Sequence, residues 1–160
     1  MKTKREPSLW TCPECGARLV TRNMSHSCGL ATLDDWKARM GPRAAGMYRR
    51  FEQMIASCGK YYIAPAKTRI AFMAQVRFAN ITGLSERAMV CSFALPEPIQ
   101  SPRIAKVAEV VPGWWVHTLR VTDIGQLDRE VQAWLRESYR QMGMRQHLAG
   151  HRRGRAPTGR

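Results

Sequence analysis

The sequence is poor in acidic residues and has no long apolar segment. Only 12 Asp and Glu residues stand against 26 Lys and Arg, which gives a formal net charge of +14. A surface of this sign attracts polyanions, mainly nucleic acid or an anionic membrane. No apolar run approaches the ~20 residues that a membrane-spanning helix needs, and none follows the charged N-terminus. We therefore expect no signal peptide, no membrane partner and a cytoplasmic protein.

The motifs of common catalytic sites are also missing. The carboxylates are scattered, and there is no phosphate-binding loop, dinucleotide fingerprint or Gly-x-Ser-x-Gly elbow. Asp35-Trp36-Lys37 has the Asp-x-Lys spacing of a restriction-type nuclease, but no acidic strand precedes it to complete a Mg²⁺ site. Because no acid and base are grouped, we expect a non-catalytic protein.

The cysteines are unevenly distributed along the chain. Three of the five lie within 17 residues, whereas Cys58 and Cys91 stand alone. The clustered ones form a Cys-x-x-Cys-Gly turn, Cys12 to Gly16, followed by His26-Ser27-Cys28-Gly29. In a reducing compartment such clustering favours a metal over disulfides.

The spacing of this cluster suits one tetrahedral ion. The tight Cys-x-x-Cys turn aims both sulfurs at one point, and residues two apart on an extended segment face the same side. Four nitrogen and sulfur ligands leave no open position for a catalytic water. The sequence thus predicts a structural Zn²⁺ held by Cys12, Cys15, His26 and Cys28. The alternatives are a redox pair, which lacks its usual βαβ context here, and no special role.

Apolar periodicity and turn signals divide the chain into four segments. We predict a basic leader over 1–9, a zinc knuckle over 10–30, a folded domain over 31–148 and a disordered basic tail over 149–160. The domain is predicted to contain a helix over 42–58 and a last helix that follows a capping box at Asp123 and Gln126. A short helix is expected over 102–109, and strands over 67–73, 76–82, 88–95 and 114–121. These elements predict an α+β fold, with a small antiparallel sheet of about four strands packed against two long helices and preceded by the knuckle.

Several motifs, taken together, resemble a known family. They are Trp10-x-Cys-Pro-x-Cys-Gly with Ser25-His26-Ser27-Cys28, Lys67-Thr68-Arg69-Ile70-Ala71-Phe72, Arg77-Phe78-Ala79, Ser101-Pro102-Arg103-Ile104, and His117 ahead of Leu127-Asp128-x-Glu130-Val131-x-x-Trp134-Leu135. Over about residues 45–148 the chain resembles the bacterial family catalogued as domain of unknown function 5655. The resemblance implies a compact α+β module, sometimes attached to DNA-related parts, with no assigned catalytic residue. It also implies a functional patch at the matching polar positions Lys67, Arg69, Arg77 and His117.

The residues themselves leave two interpretations of that patch open. Arginines on one face of a sheet can hold a phosphate bidentately, or they can be ordinary surface charges paired with acidic neighbours. His117 lies mid-strand as a structural histidine or, with an unperturbed pKa near 6.5, as a general base. Trp114 and Trp115 are neighbours on a strand and face opposite sides, so an exposed ring can stack on bases or pack under the knuckle.

The leading hypothesis is a zinc-containing, non-catalytic binding module that contacts nucleic acid without sequence preference. Lys67, Arg69 and Arg77 would contact phosphates, and the tail residues Arg152, Arg153 and Arg155 would add non-specific attraction, unless the tail is an inert solvated terminus. The alternative is a protein-interaction or small-ligand-binding domain whose charge serves solubility. The oligomeric state does not follow from the sequence.

Overall fold

A computed structural model of the chain describes residues 10–16, 18–19, 22, 26 and 28–145. The predicted leader 1–9 and tail 149–160 lie outside the described residues, and so do Arg152, Arg153 and Arg155. A two-stranded hairpin and two helices come first: β1 (Trp10–Thr11), β2 (Arg18–Leu19), α1 (Leu33–Ala38) and α2 (Pro42–Ala56). Six strands follow: β3 (Tyr62–Ala66), β4 (Arg69–Met73), β5 (Arg77–Leu84), β6 (Met89–Leu95), β7 (Ile104–Val111) and β8 (Trp114–Val121). The described part ends with a 3₁₀ turn (Ile124–Gln126), α3 (Arg129–Ser138) and a π-helical turn (Tyr139–Gly143).

The six long strands form one antiparallel sheet in the order β3-β4-β5-β6-β8-β7. Successive residues of a strand point to opposite faces. On β4, Ile70 and Phe72 enter the hydrophobic core, which also contains the apolar faces of α2 and α3. Arg69, Ala71 and Met73 point the other way, towards the Cys/His segment. The sheet therefore separates the main core from the region that contains Arg69 and the Cys/His segment.

Helix α2 forms where the sequence predicts it. Pro42 occupies the first helical turn, and Phe51, Met54 and Ile55 are buried on one face of the helix. Gly41 supplies no side-chain cap at its start. The helix ends at Ala56, two residues before the predicted end.

Helix α3 begins later than predicted. The capping box of Asp123 and Gln126 is present, but it closes the 3₁₀ turn. Asp128 caps α3 itself, because its carboxylate accepts the N–H groups of Glu130 and Val131. The helices in the described part of the chain are too short or too polar to cross a membrane.

The predicted α+β fold, with about four strands packed against two long helices, is wrong. The described part is largely β, since its main sheet has six strands. The four predicted strands are present, but both edge strands were missed. In β3, Ala64-Pro65-Ala66 has little preference for strands. In β7 every residue is at least half-exposed, so the apolar alternation is lost. The helix predicted over 102–109 is also wrong, because most of that segment belongs to β7.

Candidate metal centre and adjacent cationic pocket

The first two candidate ligands lie in the connection of the N-terminal hairpin. β1 and β2 pair antiparallel, with Trp10 opposite Leu19. Within the connection the N–H of Gly16 donates to the carbonyl of Cys12 at 2.8 Å. Gly16 has a φ of 72°, a left-handed conformation that costs residues with a side chain about 1–2 kcal/mol. The glycine thus permits the tight turn that brings Cys12 and Cys15 together.

A second left-handed bend brings in the remaining cysteine. Cys28 has a φ of 36° and Gly29 a φ of 79°. The bend leaves the Sγ of Cys28 at 3.7 Å from the Sγ of Cys12. The ligand atoms of Cys12, Cys15, His26 and Cys28 all lie within 4.8 Å of one another. The predicted set of four is therefore assembled in one place.

These distances fit a tetrahedral ion. Metal–sulfur bonds of about 2.3 Å in a tetrahedral shell give a sulfur–sulfur edge of about 3.8 Å, which the 3.7 Å between Cys12 and Cys28 matches. A disulfide requires about 2.05 Å, and all five cysteines are free thiols. The group can hold a metal ion.

The thiols of the cluster differ in acidity. Burial raises the pKa of Cys12, but backbone hydrogen bonds from Cys15 and Glu14, with smaller contributions from His26 and Cys28, outweigh it and lower the pKa to about 6. The hydrogen bond to Cys12 and burial raise the pKa of Cys28 to about 11. The lowered pKa of Cys12 favours its thiolate, which is the form of cysteine that binds a metal ion.

A cavity of about 500 Å³ lies beside the cluster, between the N-terminal segment and the sheet. We call it the cationic pocket. Its walls come from the hairpin and cluster, from β3 and β4, from the start of β5 and from β8. The lining residues are Leu19, His26, Ala64, Pro65, Ala66, Arg69, Ala71, Met73, Val76, Arg77 and Trp114. No acidic residue of the described part of the chain is among them.

Two arginines supply the charge of this pocket. Arg69 begins β4 and Arg77 begins β5. Because these strands are antiparallel, Arg77 lies opposite Met73, four residues along β4 from Arg69 and on the same face of the sheet. Both are exposed, and neither forms an ion pair with any residue that the structure describes. Desolvation of its side chain by the surrounding residues, and then the charge of Arg69, lower the pKa of Arg77. Two uncompensated like charges favour an anion between them.

Trp114 closes the pocket at the β8 side. Its ring is half-buried, and the guanidinium of Arg145 lies over it at 5.7 Å from the ring centroid. Arg145 is positioned by the turn after α3, where its Nε donates to the carbonyl of Gln141 at 3.0 Å. In that turn the carbonyl of Gly143 accepts the N–H groups of Gln75 and Val76, next to the pocket.

The other members of the predicted patch lie elsewhere. Lys67 is exposed in the turn between β3 and β4 and does not line the pocket. His117 is fully buried, stacks on Phe93 at 5.1 Å between ring centroids, and accepts the N–H of Ile99 at its Nε2. Burial lowers the pKa of His117, so the ring is neutral near pH 7. The structure therefore brings Arg69 and Arg77 together with His26, without Lys67 and His117.

Two parts of this site were not predicted from the sequence. One is the row of small residues on β3, Ala64-Pro65-Ala66, whose composition gives no strand signal. The other is Arg145, which we did not connect with Trp114 because nothing local links residues so far apart in the sequence. The neighbouring Trp114-Trp115 pair was the available signal for an aromatic wall.

The fold and site define a largely β domain with a Cys/His group that can hold a metal ion and an adjacent cationic pocket. Residues 41–142, more than half of the chain, match the family described as "Domain of unknown function (DUF5655)". The chain belongs to this family, which confirms the resemblance for the motifs within residues 41–142. The matched region contains Arg69, Arg77 and Trp114 but none of the four candidate metal ligands. No match is found among curated proteins or among solved structures.

Proposed function

We propose that the protein is a zinc-containing, non-catalytic module of a reducing, cytoplasmic compartment that binds nucleic acid through the cationic pocket. The observation on which this depends is the pair of Arg69 and Arg77. The two cations line one cavity, no acidic residue lines it with them, and neither has an anionic partner among the described residues. The two guanidinium groups repel each other, and a bound anion would offset this repulsion.

Zinc is the metal that suits the Cys/His group best. Three thiols and one imidazole match its preference for sulfur and nitrogen in tetrahedral geometry. Four protein ligands leave no position for a reactive water, so the role is structural. The segment needs such a role, because Cys12 and Leu19 are its only buried residues in the described part before α1. The metal would fix the wall of the pocket that contains Leu19 and His26.

Nucleic acid is the anion that suits the charge of the whole chain. Guanidinium groups bind phosphate oxygens bidentately, so Arg69 and Arg77 can hold a phosphate. The formal charge of +14 adds long-range attraction for a polyanion. A contact of this kind gives affinity without sequence preference.

A small anionic ligand is the second candidate. The volume of about 500 Å³ falls within the range of ordinary small-molecule sites. Apolar walls with a few convergent polar groups are also typical of such sites. This candidate predicts that an isolated anion binds as tightly as an oligonucleotide at equal salt.

A salt-dependent titration tests the proposed function. Fluorescence anisotropy of a labelled single-stranded oligonucleotide would be measured with the wild type at several salt concentrations. We expect the logarithm of the binding constant to fall linearly with the logarithm of salt. The double variant Arg69→Ala/Arg77→Ala should bind about tenfold or more weakly and have a slope smaller by about 1–1.5, because each lost phosphate contact removes about 0.7.

A matched control variant distinguishes the effect of losing these two arginines from the effect of a lower net charge. Arg49→Ala/Arg87→Ala removes the same charge from two exposed positions outside the pocket, and should weaken binding much less. The proposal fails if the wild type does not bind at low salt. It also fails if the control variant weakens binding as much as the pocket variant does.

A further inference from the structure

The cationic pocket has a flat apolar wall beside its two charges. β3 and β4 pair antiparallel, with Ala64 opposite Ala71 and Ala66 opposite Arg69. Directly opposed residues point to the same face of a sheet, so three methyl groups lie together next to a guanidinium. Small side chains of this kind leave room for a planar group to lie against the strands.

An aromatic ring bounds the same cavity. Trp114 lines it from β8, and the guanidinium of Arg145 lies over that ring. Aromatic side chains bind bases by stacking, and this contact tolerates any base because each has a π face. The pocket thus combines a phosphate site at Arg69 and Arg77 with an apolar and aromatic site for a ring.

The size of the pocket selects between paired and unpaired nucleic acid. Bases that are paired and stacked in a duplex cannot enter a cavity of about 500 Å³, whereas one nucleotide turned out of the stack can. A surface that binds a duplex needs only a flat cationic face, and a concave pocket with an aromatic wall is not needed for it.

We propose that the cationic pocket takes one unpaired nucleotide, with its phosphate on Arg69 and Arg77 and its base between Trp114 and the alanines of β3 and β4. This inference rests on the proposed function and specifies it: the substrate class is single-stranded nucleic acid. Duplex is bound through phosphates alone and more weakly.

Three probes with equal numbers of phosphates separate base binding from phosphate binding. They are an oligothymidylate, an abasic oligomer of the same length, and a duplex, each titrated at the same low salt. We expect the oligothymidylate to bind about tenfold more tightly than the abasic oligomer, as for one stacked base. Trp114→Ala should remove this difference and leave the affinity for the abasic oligomer unchanged. Trp115→Ala, at the neighbouring position that faces the other side of the sheet, should preserve the difference.

A second variant tests the base site without removing Trp114, so that the test does not depend on whether Trp114→Ala folds. Ala66→Leu adds bulk at the flat wall without a change of charge, and should also reduce oligothymidylate binding to the level of the abasic oligomer. Equal binding of oligothymidylate and abasic oligomer by the wild type would overturn the base site while the proposed function stands. If none of the probes binds at low salt, both the base site and the proposed function are wrong.

Discussion

The start of helix α2 offers a sharp test of how the fold is held together. Its N-cap, Gly41, has no side chain to accept the first N–H groups of the helix. The carboxylate of Glu86, from the turn between β5 and β6, accepts them instead, from Arg43 at 3.2 Å and from Ala44 at 3.1 Å. A Cβ on residue 41 would overlap this carboxylate. Gly41→Ala must therefore displace the same cap that Glu86→Ala removes.

The expected magnitudes follow from this shared cause. Loss of a carboxylate cap at an exposed helix start costs about 1–2 kcal/mol, or a melting temperature lower by about 2–8 °C for a domain of this size. The free energy of unfolding of each single variant should be lower than that of the wild type by about this amount. The double variant Gly41→Ala/Glu86→Ala should lose little more than Glu86→Ala alone, so the coupling energy is about as large as one single effect.

Urea unfolding followed by circular dichroism measures the free energy of unfolding of the wild type, the two single variants and the double variant. Glu97→Ala is the control, because it removes an exposed carboxylate that caps none of the described helices, and should change the free energy of unfolding by less than about 0.5 kcal/mol. If the losses of the two single variants add within about 0.5 kcal/mol, the carboxylate is not the cap.

Three further changes have expected outcomes that urea unfolding can check. Arg103→Ala removes a guanidinium that binds the carboxylates of the N-cap Asp128 and of the first-turn residue Glu130 of α3. These carboxylates are about half-exposed, so we expect the free energy of unfolding to fall by about 1 kcal/mol, and an unchanged value would contradict the ion pairs. Gly143→Ala places a Cβ at 2.9 Å from the buried Phe78 ring and should destabilise by about 1–3 kcal/mol, whereas wild-type stability would mean that the ring moves freely. Burial lowers the pKa of His117 below 6.5, so the unfolded chain binds the proton more readily; stability from this residue is complete above about pH 6.5 and falls as the pH drops below it. His117→Gln should reduce that pH dependence, and an unchanged profile would assign it to other groups.

The Cys/His cluster could be predicted from the sequence because its four candidate ligands are close in the chain. The Cys-x-x-Cys turn and the His-x-Cys pair specify local geometry, and the left-handed glycines next to them agree with it. The same holds for α2 and the four inner strands, whose buried faces impose regular apolar spacing.

The edge strands and the pocket could not be predicted in this way. An edge strand such as β7 has no buried face to impose alternation, and Ser101-Pro102 in front of it resembles a helix start. The contacts of Glu86 with α2 and of Arg145 with Trp114 join residues far apart in the sequence. His117 lies on the other face of the sheet from Arg69 and Arg77. This difference could not be predicted, because assigning each residue to a face requires the register of the strands.

The metal content of the purified protein tests most directly the claim that a metal centre holds one wall of the cationic pocket. Elemental analysis should find one zinc per chain, and Cys28→Ser should lower this content. Cys58→Ser, which removes an isolated thiol outside the cluster, should retain the zinc. Absence of stoichiometric metal from the wild type, or equal loss of zinc from both variants, would contradict the account.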